Sequence, residues 1–305
     1  MPRQSQLTQV TNVSDHPGSL PSPCPVPLQC PVRKCGLPLS VTPNGLTCAS
    51  RHHFDRAKQG YYSLLQPQDR RSPQAGDSDE AVLARQRWLQ RGHASGLVQW
   101  LQPWVNQLID GPTGNPVQVI DLGCGEGSFG PTLFESKSHV QYAGIDLSKR
   151  AIRLASRQCV NGFWILANAD RALPIADNSI DVVLSLFGRR PAKEICRVLK
   201  PGGGCVVTVP GQDDLIELRE HVQSRGDQRR RDDAVVKQMS DASLTLVDRG
   251  MWQDRITIQT DAIKDAMAMT YRGFRHSQAA RLQTLSELTV TLSAECLRFE
   301  RLQTS

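Results

Sequence analysis

The run Val119-Ile120-Asp121-Leu122-Gly123-Cys124-Gly125-Glu126-Gly127 constrains this chain more than any other stretch. Its apolar start reads as a buried strand that closes on an acidic residue, and three glycines follow on alternate positions. Glycine has no Cβ, so such a turn bends sharply and lets a ligand approach the backbone closely. Dinucleotide-binding folds use G-x-G-x-x-G and leave the pyrophosphate on a helix N-terminus. The spacing here, Asp-x-Gly-x-Gly-x-Gly, is a different one. Without a ligand it would be a plain Gly-rich strand-to-helix turn.

The surrounding pattern gives the turn a context. Apolar runs at 117–122, 140–146, 163–167, 180–186 and 204–209 predict strands. Stretches 148–158, with Ser148 as N-cap, and 191–199 predict helices between them. Short, nearly all-apolar strands separated by helices indicate a parallel sheet covered on both faces, an α/β fold. Further on, 213–223 and 260–271 read as helical, and 243–248, 251–258 and Leu288–Leu302 as strands. The charged tract 225–235 reads as a solvent-exposed loop. Upstream, Ala81, Leu83, Ala84, Trp88 and Leu89, then Leu97, Trp100, Leu101, Trp104 and Leu108, recur at helical spacing over 78–110.

In open α/β sheets the ligand lies outside the carboxyl ends of the strands. Asp146 closes the second strand 19 positions after Gly127, where a carboxylate accepts hydrogen bonds from ribose hydroxyls. It could equally cap the next helix together with Ser148. Asn168 and Asp170 follow the third strand, where they are either acceptors for a bound base or turn formers.

Composition narrows the setting. The chain has 305 residues, enough for one large domain or two smaller ones. No apolar stretch approaches the roughly 18–20 residues that span a bilayer. No apolar segment follows the N-terminal charges, so a secretory leader is not expected. Residues 1–29 are rich in Ser, Pro, Gln and Thr and are expected to be disordered. Nine cysteines is an odd count that does not suggest a disulfide framework. Cys124, Cys159, Cys196, Cys205 and Cys296 scatter through apolar surroundings as small hydrophobes, which fits a reducing, cytoplasmic compartment. The net charge of +6 permits nucleic-acid binding without arguing for it.

The remaining cysteines are organised. Cys30 and Cys35 are followed by Cys48 and His52, a C-x4-C then C-x3-H pattern of zinc-ligand types. Thiolates mixed with an imidazole favour zinc, and four protein ligands make a closed, structural site. His53 competes with His52, and Cys24 with Cys30.

The glycine run resembles motif I of the class I methyltransferases that use S-adenosylmethionine. Ala172-Leu-Pro-Ile-Ala-Asp-Asn-Ser-Ile-Asp181-Val-Val183 resembles their "LPF-D-S-FD" stretch, and Leu199-Lys-Pro-Gly-Gly203 their "LKPGG" turn. The resemblance implies a Rossmann-like, mostly parallel sheet with helices on both faces, preceded by a small zinc-binding module. It also implies a cofactor site drawn from Asp121, Gly123, Gly125, Gly127, Ser128, Phe129, Gly130, Asp146, Leu147, Asn168 and Asp170.

The resemblance then narrows. Cys35-Gly-Leu-Pro-Leu39, Cys48-x-x-x-His52-x-Phe54-Asp55-x-Ala57-Lys58-x-Gly60-Tyr61, Gly76-Asp-Ser78-x-Glu80 and Arg85-x-x-x-Leu89-x-x-Gly92-His93 occur in series. This order is similar to the 23S ribosomal RNA guanine-N1 methyltransferase family (RlmA-like), over about residues 30–305. The division it implies is a disordered extension (1–29), a zinc-binding RNA-recognition module (30–68), a helical connector (69–116) and a methyltransferase domain (117–305). Metal ligands carry over to Cys35, Cys48 and His52, and to Cys30 with two extra residues in the knuckle. The chain departs from the family at Ala94, where an aromatic residue is usual, and at Asp213-Asp214, where a basic or His-containing stretch is usual.

The implied substrate is a guanine ring nitrogen in a ribosomal RNA hairpin. Guanine N1 carries a proton, so the reaction needs an acceptor, for which Asp214 or Asp213 is the candidate. An unstacked base needs a platform, for which Phe187, Trp252 and Arg189-Arg190 are candidates. Phosphate contacts would fall to Lys34, Arg51, Arg56, Lys58, Arg70 and Arg71. Two other readings stand beside this one: a small-molecule methyltransferase, and a zinc-dependent RNA-binding protein with a degenerate catalytic domain. The sequence leaves the oligomeric state open, a homodimer included.

Overall fold

The computed structural model describes residues 22–67, 69, 77–111, 116–222, 232–270 and 285–302. Residues 1–21, Arg70, Arg71 and most of the charged tract, 225–231, lie outside the described residues. Four short strands open the chain: β1 (Ser22–Pro23), β2 (Ser40–Thr42), β3 (Gly45–Thr47) and β4 (His53–Asp55). They pair antiparallel in that order, with Asn44-Gly45 at the β2–β3 turn. Residues 22–29, grouped by composition with a disordered start, are instead part of this unit. Val26 and Leu28 are buried, the Gln29 N–H donates to the Pro174 carbonyl at 2.9 Å, and Leu28 bridges to Ile175. Two apolar side chains with somewhere to go outweigh the polar average around them.

The second sheet has eight strands: β5 (Tyr62–Ser63), β6 (Val117–Leu122), β7 (Val140–Asp146), β8 (Phe163–Leu166), β9 (Ile180–Leu186), β10 (Leu199–Pro210), β11 (Leu244–Gln259) and β12 (Glu287–Arg301). Their order is β11-β12-β10-β9-β6-β7-β8-β5. β5 to β10 run parallel, while β12 is antiparallel to both β10 and β11. Eight helices accompany them among the described residues: α1 (Asp79–Gln90), α2 (Ser95–Ile109), α3 (Phe129–Leu133), α4 (Lys149–Gln158), α5 (Ala192–Val198), α6 (Ile216–Val222), α7 (Asp232–Ser240) and α8 (Thr260–Thr270). The tract expected to be a loop to residue 235 therefore turns helical at Asp232. Asp232 is buried and paired with Arg249.

Strand side chains alternate between the two faces. On one face Ile120, Leu122, Ile145, Val183 and Val207 join α5, α7 and the N-terminal unit in a single apolar cluster. On the other, Val117, Val119, Val182, Leu184 and Val206 pack against Leu97, Leu101, Val105 and Ile109 of α2. Each such aliphatic side chain contributes about 1.5–3 kcal/mol when fully buried. α2 is therefore a covering layer of the sheet rather than a connector, because its stripe at i, i+4, i+8 and i+12 is apolar. α1 is held in turn by α8, where the buried Asp265 carboxylate receives Arg87 at Oδ1 and Arg91 at Oδ2.

The N-terminal unit is not tethered by a free linker. Tyr62 and Ser63 pair with Ile165 and Leu166, so β5 extends the large sheet by one parallel strand. The Leu64 N–H donates to the Leu166 carbonyl at 2.9 Å, continuing that pairing.

Candidate active site and metal centre

From β6 the chain runs outward through β7 and β8, then returns to β6's other side at β9. That reversal opens a crevice beyond the carboxyl ends of β6 and β9. The two turns there touch. A Cβ on Gly123 would lie 2.9 Å from the Gly188 Cα, and one on Gly188 would lie 2.2 Å from the Leu122 carbonyl oxygen.

The three glycines of the turn do different jobs. All have positive φ, 75° at Gly123, 59° at Gly125 and 80° at Gly127. A Cβ on Gly127 would meet the Trp164 indole at 2.6 Å, so that glycine serves packing. A Cβ on Gly125 would meet nothing within 4 Å, so its bare backbone faces open space. Gly130 backs onto the Tyr142 ring, again a packing role, while Ser128 and Phe129 begin α3.

Carboxylates gather around this space. Both Asp146 oxygens accept backbone N–H groups, Oδ2 from Gly125 at 2.9 Å and Oδ1 from Ser148 at 2.7 Å. The ribose and helix-entry readings of Asp146 are thus compatible, since each carboxylate oxygen keeps a second lone pair. The Ser148 hydroxyl caps α4 by accepting from Ala151 N–H at 3.2 Å. Asp121 is buried, and the Tyr142 hydroxyl donates to its Oδ2 at 3.0 Å. Its Oδ1 has no partner among the described residues. Burial pushes the Asp121 pKa up to about 7, and the neighbouring Asp146 and Glu126 charges add to the rise. Glu126 and Asp146 are also raised, chiefly by burial.

An orphaned buried carboxylate oxygen, a bare glycine cradle and three clustered acids suit a ligand carrying positive charge. S-adenosylmethionine fits that description, with its sulfonium and α-ammonium groups. The raised Asp121 pKa has two consequences. The folded chain keeps a proton that the unfolded chain releases near pH 4, so this group's contribution to stability declines as pH rises from about 4 to about 7. A cationic ligand reverses the preference and expels that proton. Calorimetry at pH 6 in two buffers of different ionisation enthalpy should therefore show release of up to about one proton per cofactor bound, fading above about pH 8. Equal heats in the two buffers at pH 6 would contradict this assignment.

At the end of β8, the Asn168 side-chain oxygen accepts the Asp170 N–H at 3.0 Å, and Asp170 lies 3.4 Å from the Arg189 Nε. Leu147 is half-buried beside Asp146. Sequence reasoning missed Asp69, whose buried carboxylate receives the Arg171 Nε at 2.7 Å, the Gln66 N–H at 2.8 Å and the Asn168 amide at 3.4 Å. It lies in a polar stretch without periodicity, so no signal marked it. Asp181 and Lys200, from the two later motifs, meet as a structural pair. The Lys200 Nζ is 2.8 Å from both oxygens of the buried Asp181, which also accepts the Gln118 N–H.

The metal ligands converge. The donor atoms of Cys30, Cys35, Cys48 and His52 all lie within 4.8 Å of one another. Cys35 and Cys48 sulfurs are 3.8 Å apart, and the His52 Nδ1 is 3.4 Å from the Cys30 sulfur and 3.5 Å from that of Cys48. A tetrahedron with metal–sulfur bonds near 2.3 Å and metal–nitrogen bonds near 2.0–2.1 Å has edges of about 3.8 and about 3.5 Å, so the set fits zinc. His53 points elsewhere, its Nε2 lying 3.3 Å from Asp55 Oδ1. Cys24 donates to the Leu39 carbonyl instead. The lengthened knuckle closes with Lys34 and Gly36 at φ of 66° and 61° on either side of Cys35.

Comparison with known proteins agrees with both halves. A methyltransferase-domain model matches residues 115–262, and a zinc-ribbon model described as "RlmA, N-terminal" matches 28–73. A protein of Micromonospora griseorubida named "Putative 23S rRNA (guanine-N(1)-)-methyltransferase" is 32% identical over 217 residues, covering 67% of this chain and 70% of its own length. The chain belongs to the 23S rRNA guanine-N1 methyltransferase family. Another relative, the 23S rRNA (guanine(748)-N(1))-methyltransferase of Streptomyces fradiae, is 34% identical over 191 residues, 63% of this chain and 66% of that protein. As a member of this family, the chain combines a zinc ribbon with an S-adenosylmethionine-dependent methyltransferase domain. Among the described residues, no helix is long and apolar enough to cross a membrane.

Proposed function

We propose that this chain transfers a methyl group from S-adenosylmethionine to N1 of a guanine in a hairpin loop of large-subunit ribosomal RNA, in the cytoplasm. The observation that carries this reading is the physical union of ribbon and catalytic sheet. β5 pairs with β8, and Asp69, near the end of the ribbon match, holds Arg171 and Asn168 at the rim of the cofactor crevice. A small substrate would need no such module. The names of the two relatives point to the same base and atom.

The cofactor supplies an electrophilic methyl on a sulfonium. A bond forms from guanine N1 to that carbon as the carbon–sulfur bond breaks, and the N1 proton must leave. The protein's work is to align the base and accept that proton. Of the two candidate carboxylates, Asp214 is committed to structure, since its Oδ1 accepts the Ser293 N–H at 3.0 Å. Asp213 precedes it on the half-buried turn after β10. We assign the proton to Asp213 and the turn's geometry to Asp214. Asp213→Asn should lower the methyl-transfer rate by about 100-fold with little change in melting temperature. Asp214→Asn should cost about 1.5–3 kcal/mol of stability, the range for a charge-assisted bond. Equal rates for Asp213→Asn and the parent protein would remove Asp213 from the mechanism.

For the base platform, Phe187 stands out. It follows β9 at the crevice, is 43% exposed, and adopts a left-handed φ of 58°. Strained, exposed aromatic residues at a strand end are typical of ligand clamps. Trp252 instead packs on α2, its indole 3.2 Å from where a Gly96 Cβ would lie. The reading is tested by incubating the protein and tritiated cofactor with total ribosomal RNA from a deletion strain and from its parent. Label should enter large-subunit RNA from the deletion strain and be reduced in the parent's. Label in neither would sink the assignment.

A further inference from the structure

The loop Arg56–Gly60, between β4 and β5, wraps the edge of the large sheet and lies against the end of α4. Its Ala57 packs with Tyr61, Ile152, Ala155 and Trp164. Between loop and helix is an open cleft of about 470 Å³, lined by Asn44, Arg56, Lys58, Gly60, Ser156 and Val160 among others. Its lining is mostly polar, so an apolar ligand gains little there.

The charge around this cleft is predominantly positive. α4 carries Lys149, Arg150, Arg153 and Arg157, and residues 148–158 contain no acid. The buried positions of α4 are Ala151, Ile152, Ala155 and Ser156, which leaves Arg153 and Arg157, a helical turn apart, on the uncovered side. From Arg150 to Arg157 the helix rises about 10 Å. None of these four cations, nor Arg56 or Lys58, has an acidic partner within ion-pair distance among the described residues. Within the loop's own stretch, 53–62, the only acid is Asp55, which faces His53. Six unneutralised cations on two adjoining elements form the sort of surface that binds a polyanion, because each releases a counterion from the nucleic acid.

We infer that α4 and the 56–60 loop form one continuous surface for the RNA phosphate backbone, so that the catalytic domain shares the grip on RNA with the zinc ribbon. This rests on the RNA-substrate reading above and deepens it. The recognised partner is duplex or looped RNA through its phosphates, with no base readout at this surface. Because β5 fixes the loop to β8, the surface is a rigid part of the enzyme body and sets how the RNA lies relative to the crevice.

The test uses the full-length protein and two double variants, Arg153→Gln with Arg157→Gln on α4 and Arg56→Gln with Lys58→Gln on the loop. Binding is measured by fluorescence anisotropy across a salt series, to a 23S rRNA fragment and to an RNA hairpin of unrelated sequence. Each lost phosphate contact should reduce the slope of log K against log salt by about 0.9, so each double variant should lose about 2 in slope on both RNAs. Cofactor affinity and melting temperature should match the parent protein. Slopes unchanged in both double variants would overturn the surface. Reduced slopes with no methyl transfer to ribosomal RNA by the parent protein would leave the surface standing and sink the proposed function.

Discussion

Cys48→Ser is expected to release the metal and unfold the ribbon, with a loss that reaches the catalytic domain. The ribbon is small, and a structural zinc supplies about 10 kcal/mol or more to such a unit. Few other terms compensate, because strands β1 to β5 are two or three residues each. Val26, Leu28 and Leu46 belong to the same apolar cluster as Ile120 and Val183 of the central sheet. Losing the ribbon therefore uncovers one face of that sheet and frees its β5 edge. The measurements are zinc content and thermal melting. The variant should carry less than stoichiometric zinc and melt well below the parent protein. His53→Ala, one position from a ligand, should change stability by no more than about 0.5 kcal/mol, as exposed substitutions do. Full zinc occupancy in Cys48→Ser would place the metal elsewhere.

The second large effect separates two glycines of one turn. Gly125→Ala and Gly127→Ala both put a Cβ where φ is positive, at a cost of about 1–2 kcal/mol each. Beyond that they differ. At Gly127 the new methyl would lie 2.6 Å from the Trp164 ring and 3.0 Å from the Ala155 Cβ, adding about 1–3 kcal/mol of overpacking. At Gly125 it meets open space, so the fold survives. With that space proposed as the cofactor's cradle, a methyl there should weaken S-adenosylmethionine binding by about 10- to 100-fold. Denaturant melts and calorimetry together should thus show one variant that is unstable and one that is stable but binds poorly. The reverse pattern would mean that the cofactor approaches the turn from the Trp164 side.

Much of this architecture could be read from the sequence, for a definite reason. Strand β9 is buried throughout and β6 nearly so, and mostly apolar runs mark them, while β7 is buried over Ala143–Ile145. The glycine turn, Asp146, and the Cys30, Cys35, Cys48 and His52 set were legible because their chemistry restricts residue type at each position. What was lost depends on contacts distant in sequence. Tyr62-Ser63 is too short to carry a period, and only Ile165 and Leu166 make it a strand. Gly250 looked like a break between two strands. It is instead an interior position of β11 where the Trp100 ring lies too close to permit a Cβ. At Gly127 and Gly130 the rings of Trp164 and Tyr142 leave no room for a Cβ, a packing demand that the turn's spacing does not show. Asp213 and Asp214 are adjacent and alike in sequence, and only the backbone of β12 tells them apart.

On the proposed function, this ribbon-bearing methyltransferase modifies the Watson–Crick edge of one guanine in ribosomal RNA. A methyl on N1 blocks pairing at that base, so reverse transcription of treated 23S rRNA from a deletion strain reads it directly. The expected result is one new, cofactor-dependent stop at a guanine in a hairpin loop, together with 1-methylguanosine in the nucleoside digest. Transfer that produces no such stop, or a methyl recovered on another nucleoside, would contradict it.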